Sequence, residues 1–315
     1  MHEVSLTYQR LFDLDADIDA VLSDFERAGI EGIDFSFDYM FASERSYGEE
    51  LFKKDINEIK KVIDVYKTAL DKHGIAVCQT HAPFPTYRFR ELEGKLTKEM
   101  FNSYMEDVTK KCIELTAYLG SKYIVIHPAH NAARILYDEE RKVNIELYTR
   151  LIEDAKRHGV IICLENMWTE RGGRIFDSAC ANPYEARDYI DTLNDIAGEE
   201  IFGFCFDVGH ANICGYHMQN SLRILGKRVK VLHIHDTNGM RDNHTIPYMI
   251  SNGGSKALTD YGGFTAGLRD IGYEGSLNFE SCYGFNAFPK VTHPALFGLV
   301  KAIGDYFSAE IKKDS

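Results

Sequence analysis

Val229–His244, VKVLHIHDTNGMRDNH, is the stretch on which the reading of this chain turns. Its first half is apolar and β-branched, as a buried strand requires. It then breaks into His-Asp-Thr-Asn-Gly and runs on as a polar loop. Within sixteen residues it carries three His, two Asp and one Arg. A strand that ends in histidine and opens into a loop of metal-capable groups places a site at the strand's C-terminal end. Other strands must then deliver matching groups to the same place.

Outward from that stretch the chain repeats one unit: a long amphipathic segment, a glycine, then a short apolar run closed by a polar residue. The glycines are Gly29, Gly74, Gly120, Gly159, Gly198, Gly226 and Gly272, mostly 39 to 46 residues apart. Each is suited to stop a helix before a strand. His73 and His158, directly before two of them, read as last-turn cations favoured by the helix dipole. Strands are predicted near 4–6, 32–37, 75–81, 123–127, 160–165, 202–207, 229–235 and 275–280. Helices are predicted over about 15–28, 51–73, 97–119 and 138–158, from Asn182-Pro183 onward, and over about 294–312.

Eight strands alternating with helices predict a single (β/α)8 TIM barrel spanning 1–315. An open doubly wound sheet would carry a Gly-rich phosphate loop after its first strand, and Leu6-Thr7-Tyr8-Gln9-Arg10 is not one. A chain of 315 residues buries about 75% of its unfolded surface and needs no disulfide staples. The net charge of −12 argues against nucleic acid or an anionic membrane as partner. No apolar run reaches membrane-spanning length, and the first residues do not resemble a signal peptide. Seven cysteines without a C-x-x-C pattern read as small core residues of a protein in the reducing cytoplasm.

Six successive strands end in a metal-capable residue: His81, His127, Glu165, Asp207, His235 and Glu280. A barrel interior favours branched apolar side chains there, and unpaired buried ionisable groups are costly. A bound cation is the simplest compensation. His130, His210, Arg241, Asp242 and His244 lie close by in sequence. Asp242 and His244 also read as an ordinary solvated loop pair. His233, two residues before His235, points the same way and reads as a buried, hydrogen-bonded neighbour. His217 and His293 have no partner legible in sequence, and His2 reads as terminal.

The run His81-Ala82-Pro83-Phe84, His127-Pro128, Glu165-Asn166, Asp207-x-Gly209-His210, His233-Ile234-His235-Asp236 and Glu280-Ser281 resembles the xylose isomerase-like superfamily. Within it, the likeness is to the sugar phosphate isomerase/epimerase branch, related to ketose 3-epimerases and endonuclease IV. In the epimerases one divalent metal is held by Glu, Asp, His and Glu, which the resemblance carries to Glu165, Asp207, His235 and Glu280. It carries the sugar contacts to His210 and Arg241. Where those epimerases have a further Glu, this chain has Arg171, with Glu170 one place short. In endonuclease IV nine residues hold three zinc ions. Their counterparts are His81, His127, Glu165, Asp207, His210, His235, Asp242, His244 and Glu280, all matching in type. The loops after Glu165 and His244 differ from those of the DNA-repair enzyme.

The resemblance implies one divalent metal, Mn2+, Co2+, Mg2+ or Zn2+, with up to three Zn2+ left open. It implies a sugar isomerase or epimerase acting by proton transfer through a metal-bound enediolate, with Glu165 and Glu280 as the acid/base pair. His81, His127, His210, Arg241, Asp242 and His244 would hold substrate or a second metal, and Phe84, Trp168 and Phe41 would wall the sugar ring. The alternative is a metal-dependent lyase or hydrolase, of the C-glycoside deglycosidase or endonuclease IV kind. The expected partner is a small sugar or sugar conjugate, and barrels of this family often pair into homo-oligomers. Specificity is expected in loops 38–50, 82–96, 166–181 and 240–260.

Overall fold

The computed structural model describes residues 1–13, 16–42, 51–91, 97–131, 137–251 and 257–313. Parallel strands β1 (Val4–Leu6), β2 (Gly32–Ser36), β3 (Ala76–His81), β4 (Tyr123–Ile126) and β5 (Ile161–Glu165) lie side by side. A short antiparallel hairpin follows, β6 (Trp168–Arg171) and β7 (Arg174–Asp177). The main sheet resumes with β8 (Phe202–Asp207), β9 (Val229–His233) and β10 (Leu277–Phe279), and β10 pairs with β1. Between β9 and β10 the backbone of Ile234 donates to Asn278 (2.9 Å) and accepts from Glu280 (3.0 Å), which closes the ring. The eight predicted strands are thus the staves of a TIM barrel.

The helices form for the reasons the sequence announces. Asp17, Asp55, Thr97 and Asn182 each cap a helix with a side-chain oxygen, starting α1 (Ile18–Ala28), α3 (Ile56–His73), α4 (Lys98–Tyr118) and α7 (Pro183–Ala197). A short α2 (Phe37–Ala42) follows β2 directly. The helix predicted over 138–158 comes as two pieces, α5 (Tyr137–Thr149) and α6 (Ile152–His158), and at the break Arg150 reaches Glu106 (2.7 Å). Gly74 and Gly159 end α3 and α6 in the left-handed conformation, at φ 64° and 66°. The remaining helices are α8 (Val208–Ile213), α9 (Met218–Leu225), α10 (Tyr261–Ile271), α11 (Cys282–Asn286) and α12 (His293–Ile311). Among the described residues no helix is long and apolar enough to cross a membrane.

The main core lies between the sheet and this helical coat. Inside the barrel the layers differ. Val125, Cys163, Cys205 and Val231 form a small apolar group. On the other side Ser5, Thr7, Asp34, Gln79 and Asn278 are buried and joined by hydrogen bonds. Side chains two residues on point the same way. The next layer therefore holds His81, His127, Glu165, Asp207, His233 and Glu280, at the C-terminal mouth. All seven cysteines are free.

Histidines without a legible role take structural ones. His2 is buried and its ring reaches Gly275 O (2.9 Å), His217 caps α9, and His293 meets the Tyr8 hydroxyl (2.6 Å). His73 lies between Glu26 and Asp19, which raise its pKa.

Candidate metal centre

Six strand ends, those of β3, β4, β5, β8, β9 and β10, deliver groups to one cluster. His81 Nε2 and His127 Nε2 are 3.0 Å apart, and they face Glu165 Oε2 at 3.6 and 3.1 Å. His233 Nδ1 stands 3.2 Å from Glu165 Oε1, 3.2 Å from Glu280 Oε2 and 3.8 Å from Asp207 Oδ2. Asp207 accepts from His235 Nε2 (3.1 Å), and His235 in turn stacks on His244 with ring centroids 4.0 Å apart. Asp242 Oδ2 accepts from His244 Nε2 at 2.9 Å and from His210 Nε2 at 3.3 Å.

Two strand ends do extra local work. Asp207 ends β8 and caps α8, accepting the His210 backbone N–H at 2.6 Å. Asn166 clamps the Asp207 backbone from both sides: its amide donates to Asp207 O and its oxygen accepts from Asp207 N, each at 2.8 Å. The glycine of Asp207-Val208-Gly209-His210 is required by packing, because a Cβ there would run into the His235 ring.

The imidazoles are oriented by what holds their other nitrogen. His81, His210 and His244 each point Nδ1 at a backbone carbonyl: Ala82 O (2.8 Å), Asn166 O (2.8 Å) and Glu280 O (3.0 Å). A carbonyl can only accept, so Nδ1 carries a proton; Nε2 is the nitrogen facing the carboxylates, which donates to them while it is protonated and offers its lone pair to a cation once that proton leaves. His233 is turned the other way. Its Nε2 points at Asp34 Oδ2 (3.3 Å), and Nδ1 faces the cluster. Imidazoles anchored on one nitrogen and free on the other are the arrangement metal ligands adopt.

Electrostatics point the same way. Glu165, Asp207, Asp242 and Glu280 meet histidines, and among the described residues none pairs with lysine or arginine. Among the described residues, buried Asp242 Oδ1 and His235 Nδ1 have no hydrogen-bond partner. Burial alone would raise the Glu165 carboxyl; His233, His127 and His210 around it together outweigh that and hold it well below the usual range. Burial would lower His210, but Asp207 and Asp242 raise it well above the ordinary value. His244 rises likewise against its burial, through Asp242 and Glu280. His127, where burial dominates, falls to about 4. The donor set of carboxylates and neutral imidazoles fits a divalent cation. Four overlapping groups have ligand atoms within 4.8 Å of one another: His210/His235/Asp242/His244, His81/Glu165/His233, Glu165/Asp207/His210 and Asp207/His233/Glu280.

An aromatic rim surrounds the cluster. Phe84 stacks on His127 (4.5 Å), Trp168 meets His210 edge-on (6.4 Å), and Tyr283 meets His244 (5.6 Å). Tyr283 does not stand out in the sequence; its place three residues after Glu280 is the available signal. The side chain of Phe41 lies outside the described residues. Arg241 is exposed on the loop after β9, and its guanidinium has no ion-pair partner among the described residues. Glu170 and Arg171 are exposed on the β6–β7 hairpin, and His130 is exposed outside the cluster. His233 and Asp34 are the other groups the sequence undersells.

A family model for the xylose isomerase-like TIM barrel matches residues 22–294. The chain belongs to this family. Inosose isomerase of Bacillus velezensis is 26% identical over 54% of this chain and 57% of its own length. Probable endonuclease 4 of Shouchella clausii is 28% identical over 57% and 59%. The chain thus spans about three fifths of the length of the curated relatives it matches. Among solved structures, a D-tagatose 3-epimerase-like protein superposes with a TM-score of 0.70 at 17% identity, covering 99% of this chain and 98% of its own. The IolI protein, solved with a zinc atom, superposes at 0.64 with 19% identity over 98% and 100%. Metal binding therefore occurs within the fold family, and these last two likenesses speak to the fold alone.

Proposed function

We propose that this protein is a divalent metal-dependent isomerase or epimerase of a free or conjugated sugar. The observation that carries the reading is the placing of Glu165 and Glu280 on the same imidazole nitrogen, 3.2 Å each, at the barrel mouth. Glu165 and Asp207 would hold the ion with Glu280 and an imidazole. The geometry favours His233 as that imidazole beside the two glutamates, while His235 reaches Asp207 and the His210–Asp242–His244 group. A cation bound there would supply Lewis-acid polarisation of an α-hydroxy ketone and offset the charge that develops as its α-proton leaves.

The remaining work falls to side chains of the chain itself. Glu165 is held ionised and fully buried, ready to accept a proton at Oε1 or Oε2. Glu280 keeps 15% of its side chain exposed, so it faces the side from which substrate enters; in its protonated form it can deliver its own proton and be left ionised as Glu165 is left protonated. Return to the opposite face of one carbon gives epimerisation, and transfer to the adjacent carbon gives isomerisation. His210 and Arg241 would bind sugar hydroxyls, and Phe84, Trp168 and Tyr283 would cover the ring and exclude water. The inosose isomerase relative and the ketose epimerase-like structure agree with this class.

A second reading has its own observation. The group His210, His235, Asp242 and His244 has the makings of a further cation site beside the first, as a multinuclear hydrolase needs. The endonuclease 4 relative favours it, and a lyase on a C-glycoside would use the first site alone. Metal analysis and solvent exchange decide. We expect one tightly held divalent ion per chain and deuterium from solvent water appearing in at least one of a ketose panel. Three ions with no exchange would overturn the isomerase reading in favour of hydrolysis.

A further inference from the structure

Asp34 sits in the middle of β2, in the apolar run Gly32-Ile-Asp-Phe-Ser36, and is 1% exposed. Strand β2 ends in none of the cluster's ligand-capable groups, yet it buries a carboxylate one layer beneath them. A single oxygen of that carboxylate, Oδ2, receives Thr7 Oγ1 (3.3 Å), Gln79 Nε2 (3.1 Å) and His233 Nε2 (3.3 Å). Gln79 is the register partner of Asp34 on β3, so its amide is held in place by the sheet and by its second bond to Leu232 O (3.4 Å). Thr7 is held in turn by Asn278, and Asn278 by Ser5. The acceptor is therefore fixed from β1, β3 and β10 at once.

We infer that Asp34 is a positioning residue for the ion site: it holds His233 with the proton on Nε2 and the lone pair on Nδ1, aimed between Glu165 and Glu280. His81, His210 and His244 are set by backbone carbonyls, which no substitution of a side chain removes. His233 alone among these imidazoles depends on a side-chain carboxylate for its tautomer. A carboxylate partner does two things a carbonyl does less well. It enforces the N–H direction, and it raises the basicity of the opposite nitrogen, strengthening it as a donor to a cation. The bland alternative is that Asp34 is one more member of the polar layer that fills this half of the barrel. The two differ in what Asp34 does to the cluster above it.

The inference rests on the metal-dependent reading of the site, and the test separates the two. Cobalt affinity of chelator-treated protein is measured by competition, for the wild type and for Asp34→Asn. The asparagine keeps the shape but brings an amide N–H among three donors, so the anchor for His233 Nε2 is weakened. A 10–100-fold loss of Co2+ affinity is expected, the range in which such partners act. In parallel, imidazole 15N spectra of the zinc-loaded wild type, with His233 assigned through His233→Gln, should show its proton on Nε2. A merely structural Asp34 leaves the cobalt affinity unchanged. Wild-type cobalt affinity in Asp34→Asn, or a His233 proton on Nδ1 in the zinc-loaded wild type, overturns the positioning role and leaves the site reading standing. The spectra can overturn the role even where Asp34→Asn fails to fold. A wild type that takes up no cobalt overturns the reading of the site and the role of Asp34 together.

Discussion

Replacing Gly209 with alanine isolates the packing that joins the two halves of the cluster. Gly209 lies in the helical α8 and is not among the positive-φ glycines, so its backbone accepts alanine. Helix propensity by itself would then stabilise the variant by about 1 kcal/mol. The tertiary structure reverses the sign. The new Cβ would lie 2.5 Å from His235 Nδ1, and closer still to Cε1 and Nε2. Non-bonded heavy atoms settle at about 3.5–4.0 Å, so the ring must retreat by about 1.5–2 Å. It is fully buried and stacked on His244, so it cannot move without disturbing that ring and its own bonds to Asp207. Overpacking of this kind costs about 1–3 kcal/mol. At about 2.1 cal/mol/K of unfolding entropy per residue, the Tm of the chelator-treated protein should fall by about 2–5 °C. Thermal melts with chelator and with cobalt, alongside an ion count, provide the assay. The stabilisation by cobalt should shrink as well, because the displaced His235 ring is bonded to Asp207, one of the proposed ligands. A Gly209→Ala protein with wild-type Tm and wild-type cobalt response would refute the argument that His235 packs against this glycine.

Other substitutions and conditions have definite expectations. Gly298→Ala is the counterpart: this glycine is exposed inside α12, and nothing lies within 4 Å of the place its new methyl group would take, so stability should rise by about 0.5–1 kcal/mol, read from chemical denaturation. Glu280→Gln should lower turnover on any accepted sugar by about 10²–10⁴-fold and weaken ion binding, since one proton carrier and one ligand charge are lost; retained activity at full metal occupancy would remove Glu280 from the chemistry. The imidazoles of His81, His210, His233 and His244 are held above their ordinary pKa without an ion, so they are protonated more readily and a cation must expel those protons. Ion binding should therefore release protons, and affinity should rise with pH and fall as pH drops; calorimetry in buffers of different ionisation enthalpy measures this, and a buffer-independent binding heat near neutral pH would contradict it.

Much of this is legible in the chain itself. Strand and helix periods, caps such as Asp17 and Asn182 and stops such as Gly74 are local properties, and a strict alternation of eight strands with helices admits few folds. Strand period also places His81, His127, Glu165, Asp207 and Glu280 together, because a residue at a strand's C-terminal end in a barrel has one face to share. The hairpin after Glu165 is not among the predicted strands, although Gly172-Gly173, at φ 61° and 76°, is the kind of two-residue turn that joins such strands. Val229–His244 shows where sequence stops. It announces a strand, two inward histidines and a loop; the family resemblance names His235 as ligand with His233 as buried support, while period two alone points both the same way. The packed barrel separates their surroundings: His233 comes level with Glu165 and Glu280 and meets Asp34 from below, while His235 lies one layer on against Asp207, Gly209 and His244. Those surroundings depend on which residues of distant strands share a height in the barrel, and the shear of the sheet sets those heights rather than any local pattern.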